Sequence, residues 1–136
     1  MGDSALVLPI ETPFTWFVCF HPNCASRWVR LIPGRYKHVS CFGQVPGTRA
    51  WVFCDPAIDW MRLSVVADED ADDVFKVWTA NGAKIVRINL QRKTGRHWRL
   101  GFWCVPVVAH ILGVRSRAVR PDGFLRELLR QGGEVI

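Results

Sequence analysis

From Val74 to Pro121 the chain has no aspartate or glutamate, while ten lysines and arginines fall in that stretch. The acids gather instead in the run ADEDADD at 67–73. An asymmetry of this kind suits a phosphate-bearing ligand, a nucleic acid or an acidic protein, or else a solvated face that keeps the protein dispersed. No apolar run approaches the ~20 residues of a membrane span. The segment ALVLPI at 5–10 is too short for a secretory core and lacks a basic lead-in. The expectation is a protein without a cleaved export signal, cytoplasmic or virion-associated. There is no internal repeat, no low-complexity tract and no linker that divides the chain. The 136 residues therefore read as one domain over 1–136, with a core from about 14 to 131. Five cysteines is an odd count. Without a signal peptide they are expected reduced, one of them free to act as a nucleophile.

About half of the residues are apolar and seven are tryptophan, ample for a packed interior. FTWFVCF at 14–20 is β-branched and aromatic and predicts a strand. RWVRLIPG at 27–34 reads as a strand or irregular chain, ended by Pro33-Gly34. KHVSCFG and AWVFCD flank the turn-rich QVPGTR and predict an antiparallel hairpin. WMRLSVVA at 60–67 alternates as a strand. Asp68 is then placed to cap a helix reaching about Ala80, stopped by Asn81-Gly82. AKIVRINLQ predicts a strand and RKTGRHWR a basic exposed turn. CVPVVAHILG predicts a helix whose Pro106 sits in the first turn, with Gly113 as the stop. A terminal helix follows in PDGFLRELLRQGG, with Phe124, Leu125, Leu128 and Leu129 as an apolar stripe. The fold class is α+β: a mostly antiparallel sheet packed by two or three helices.

One constellation carries chemistry. Strand alternation puts His38, Ser40 and Phe42 on one face, and Trp51, Phe53 and Asp55 on one face of the returning strand. If the hairpin closes over 43–50, Phe42 lies opposite Trp51 and His38 opposite Asp55. Opposed side chains are about 5 Å apart at Cβ, so the carboxylate would orient the imidazole and favour its charged form. Cys104 opens a helix, where the positive dipole end and a nearby imidazolium favour thiolate, the nucleophilic form. Cys104, Val108 and Ile111 share a helical face, so the thiol is expected to point at the sheet. Each residue also has a plainer reading: Asp55 starting a turn before Pro56, Cys104 an inert buried thiol, His38 a core histidine.

The order of these segments resembles a known family. KHVSCF, WVFCDP and a later CVPVVAHILG are similar to the permuted papain-like proteins, which include the lecithin retinol acyltransferase-like group related to NlpC-type peptidases. In those the histidine strand precedes the cysteine helix. VRPDGFLRELLRQG also resembles the tail of small phage-encoded members, and the likeness spans roughly 28–131. It implies a cysteine hydrolase or acyltransferase acting on an amide or ester. His38 would be the base, Cys104 the nucleophile and Asp55 the orienting residue, with no cofactor. The bulky Phe102 and Trp103 ahead of Cys104 depart from the pattern and leave room for a non-catalytic virion structural or interaction protein on the same fold.

Two other signals compete. CFHPNC brings Cys19, His21 and Cys24 within six residues, with Cys41 or Cys54 as a fourth zinc ligand, but no second close pair accompanies them. Metal is therefore not the expected reading. Arg92, Lys93, Arg96 and Arg99 around Trp98 suit a phosphate backbone and a stacked base, or an acidic virion protein, but lack a nucleic-acid-binding signature.

Overall fold

The computed structural model describes residues 13–24, 27–57, 60–90, 101 and 103–136. The β-branched and aromatic segments become the strands β1 (Thr15–His21), β2 (His38–Gln44), β3 (Ala50–Pro56), β4 (Met61–Ala67) and β5 (Lys84–Asn89). A short β6 (Glu134–Val135), absent from the sequence reading, pairs with β5. The six form one sheet in the order β4-β3-β2-β1-β5-β6. Every neighbouring pair is antiparallel. RWVRLIPG is no strand; Val29–Leu31 makes a single 3₁₀ turn.

Three helices cover the sheet: α1 (Asp68–Ala80), α2 (Cys104–Leu112) and α3 (Pro121–Arg130). The protein is thus α+β, with helices on both faces of an antiparallel sheet. One face carries Val18, Phe20, Val39, Cys41, Cys54 and Val86, packed against Val105, Val108 and Leu112 of α2 and Phe124 and Leu128 of α3. The other carries Cys19, Phe42, Ile85, Phe17 and Phe53, under Val74, Phe75 and Trp78 of α1. Strand period two divides the residues between these layers. Of the stripe expected on α3, Phe124 and Leu128 are fully buried, while Leu129 faces outward. Asp68 does not cap α1. Ala67 is the N-cap, and Asp68 is the first helical residue. Its carboxylate accepts instead from the Trp51 indole at 2.5 Å.

The hairpin register differs from the expected one. Cys41 faces Cys54, Phe42 faces Phe53 and Gln44 faces Trp51. The Val45 N–H donates to Ala50 O, closing a tighter loop. The shift is two residues, so the faces are kept: His38 and Asp55 stay on one side and meet along a diagonal, a separation long side chains bridge.

The segment between β1 and β2 is tied to α3. Asp122 accepts backbone N–H bonds from Arg35 at 2.9 Å and Tyr36 at 2.8 Å. Lys37 Nζ donates to the carbonyls of Ile32 and Gly34. Replacing Asp122 by alanine should destabilise the protein by about 1–3 kcal/mol, because two N–H groups lose a charged acceptor. Urea unfolding measures this, and hydrogen exchange at residues 35 and 36 should accelerate.

Candidate active site

β1 ends at His21, β2 begins at His38 and β3 carries Asp55 next to its last residue, so all three lie at the same end of the sheet. Helix α2 begins at Cys104 and packs on the face opposite to that of His38, Ser40 and Phe42. Sulfur and imidazole therefore meet around the end of the sheet, where β2 and α2 both start. The structure brings Cys104, His38 and Asp55 together. His38 Nε2 pairs with Asp55 Oδ1, and Cys104 lies close enough to the same ring to favour its charged form. With Nε2 engaged by the carboxylate, Nδ1 is the ring nitrogen the carboxylate does not occupy.

The charges reinforce one another. Burial works against a cation on His38, but hydrogen bonds to Asp55 and Cys104, and their charge, outweigh it and hold its pKa up at about 10. Burial likewise works against the Asp55 carboxylate. The bond from His38 and the positive charge of His38, joined in acid by that of His21 and at all pH by that of Arg62, nevertheless keep it below its usual value. The pair is imidazolium and carboxylate at neutral pH.

A second histidine, which sequence reasoning had only as a metal candidate, backs the first. His21 lies directly across from His38 in the β1–β2 ladder. The rings stack with centroids 5.7 Å apart at 27°. His21 Nε2 bonds Ser40 Oγ at 2.8 Å, and Trp78 meets it edge-on at 4.6 Å. Burial, and then the His38 charge, push the His21 pKa down to about 4, so it stays neutral. The signal was present in the sequence: His21 ends a strand whose alternation continues Phe17 and Cys19 onto the His38 face.

These groups line a cavity of about 1110 Å³. Trp103, Trp78, Phe53, Trp60, Val29 and Ile32 supply much of its apolar wall, with Lys37 and Arg120 as cations. Trp103 lines this space, and its indole donates to Val119 O at 2.9 Å. Gly101 makes room for it: φ is +103°, and an added Cβ would fall 1.6 Å from the Trp103 ring. No side chain caps α2, which leaves backbone N–H groups of its first turn aimed outward from Cys104.

The other cysteines differ in setting. All five are free. Burial pushes the Cys19 thiol well up, and a hydrogen bond with Cys54, then burial, do the same for Cys41. Cys19, His21 and Cys24 do not converge: among the described residues no three His, Cys, Asp or Glu side chains group as a metal ion would need. The basic cluster Arg92, Lys93, Arg96 and Arg99 lies outside the described residues, as does Phe102. Among the described residues no helix is long and apolar enough to cross a membrane. The chain matches no protein-family model, no curated protein and no solved structure.

Proposed function

We propose that this protein is a cysteine-dependent hydrolase or acyltransferase acting on an amide or ester, built on a permuted papain-like scaffold. The observation that carries the reading is a single imidazole paired with a carboxylate and set near a helix-opening thiol, all three on the wall of a large cavity. The chain order of histidine strand, aspartate strand and cysteine helix agrees with the permuted arrangement.

In this mechanism the Cys104 thiolate attacks the carbonyl carbon. A C–S bond forms, and the carbonyl π electrons move to oxygen. The uncapped start of α2 offers the Cys104 N–H to that oxyanion. Collapse breaks the bond to the leaving group, which takes its proton from the His38 imidazolium. Neutral His38 then draws a proton from water or another acceptor as that oxygen attacks the thioester. Sulfur leaves as thiolate beside the restored imidazolium. Asp55 keeps the ring turned toward sulfur throughout.

The test is competitive alkylation with iodoacetamide at neutral pH, read by peptide mass spectrometry. Cys104 is expected to react at least about tenfold faster than the half-buried Cys24. Reaction at Cys104 no faster than at Cys24 would overturn the enzyme and favour a non-catalytic interaction protein.

A further inference from the structure

Large solvent-exposed apolar side chains line the cavity or stand next to its lining residues in the chain. Trp28 is 81% exposed and Leu31 75%, either side of the lining residue Val29. Trp60 at 51% and Val119 at 66% both line the cavity and face solvent. Isolated exposed apolar residues need no explanation, but several around one opening do.

Along the segment between β1 and β2 the charge has one sign. From His21 to His38 the chain has no carboxylate, and it carries Arg27, Arg30, Arg35 and Lys37. Arg27 and Arg30 are exposed and alternate with Trp28 and Leu31 along the 3₁₀ turn. Arg62 stacks over the Trp60 ring at 5.4 Å, and exposed Arg120 joins the cavity wall. Asp122, the acid beside this segment, is turned inward onto the Arg35 and Tyr36 N–H groups. Those bonds, with the Lys37 anchors on Ile32 and Gly34, hold the segment in place before any partner arrives.

We infer that the cavity mouth docks on an anionic lipid surface, with Trp28 and Leu31 inserted at headgroup depth and Arg27 and Arg30 on the lipid phosphates. Tryptophan suits that depth because its ring is apolar and its N–H polar. An arginine near an anionic bilayer strengthens binding about fivefold. The cavity would then open onto the membrane. The inference stands apart from the catalytic reading, because docking needs neither Cys104 nor His38.

The full chain is sedimented with vesicles of phosphatidylcholine alone, and with vesicles in which about a third is phosphatidylglycerol. Binding to the anionic vesicles is expected, weakened by salt. Trp28→Ser with Leu31→Ser should reduce it about tenfold or more. Arg27→Gln with Arg30→Gln should reduce it about 25-fold. Trp28 and Leu31 are so exposed that the fold should survive their loss, which circular dichroism checks. Leu63→Ser with Val65→Ser alters exposed apolar residues of β4 and should leave binding unchanged. Failure to bind anionic vesicles, equal binding to both kinds, or loss caused only by the β4 variant would overturn the inference. So would displacement from vesicles by single-stranded DNA at equal charge with retention on the DNA, which would mark a nucleic-acid surface.

Discussion

His38→Ala is expected to slow alkylation of Cys104 at neutral pH by roughly 10²- to 10³-fold, and turnover of an ester or amide by at least as much. The effect is large because one ring serves the sulfur twice. As imidazolium it supplies the counter-charge beside a thiolate, and with a pKa near 10 it remains charged throughout the neutral range. As proton donor and then acceptor it serves both halves of the proposed acyl transfer. Cys24 in the same sample is the internal reference, since its rate should not change. His38→Gln separates shape from charge: it fills the site and keeps a hydrogen bond but carries no proton to give, so it should be nearly as slow as alanine. Equal Cys104 rates in all three proteins would reduce the His38 contact to packing.

The strands were legible because their side chains alternate. Alternation placed His38, Ser40 and Phe42 on one face of one strand and Trp51, Phe53 and Asp55 on one face of the next without any knowledge of tertiary contacts. Alternation also brought His38 and Asp55 to one side, and it did so despite a wrong register. The loop closes between Val45 and Ala50 rather than over 43–50, and a two-residue slip exchanges direct for diagonal neighbours while preserving the face. Register depends on turn hydrogen bonds that composition does not specify. Cys104 was legible from the helix start it occupies, although the route by which it reaches His38 was not. Periodicity aims Cys104, Val108 and Ile111 at the sheet, but says nothing about the sheet's end, where a strand start and a helix start converge. His21 stayed hidden for a similar reason. Its neighbours Cys19 and Cys24 suggested a metal, whereas its real partners, Ser40 and His38, lie on another strand. Asp68 was misjudged because Trp51, 17 residues earlier, competes for its carboxylate.

Asp55→Asn should remove about 2–3 kcal/mol of stability at neutral pH and reshape the pH dependence of unfolding. The His38 pKa rises from 6.5 to about 10 on folding. A raised folded value means the stabilisation is fully present below the unfolded value of 6.5 and disappears as pH climbs through about 10. The full shift would correspond to about 4–5 kcal/mol at 1.4 kcal/mol per unit. The two side chains are 22% and 27% exposed, so water screens part of that, leaving the smaller figure. Asp55 has the opposite sign. Its value is depressed, so its contribution is present above the usual carboxylate pKa and is lost as pH falls through the folded one. Wild-type stability should thus form a plateau with an acid limb and a long alkaline slope. Asparagine abolishes the Asp55 part of the acid limb and shortens the alkaline slope, because burial then pulls His38 down with only Cys104 opposing it. His21 is neutral above about pH 4 and adds no compensating charge at neutral pH, and Arg62, the remaining cation facing Asp55, loses an attractive neighbour. Urea unfolding at a series of pH values measures the profile, and the His38 ring proton shifts in NMR give the titration directly. A wild-type profile flat from neutrality to about pH 10, or a His38 titrating near 6.5 in both proteins, would mean that the histidine and aspartate are not paired in solution.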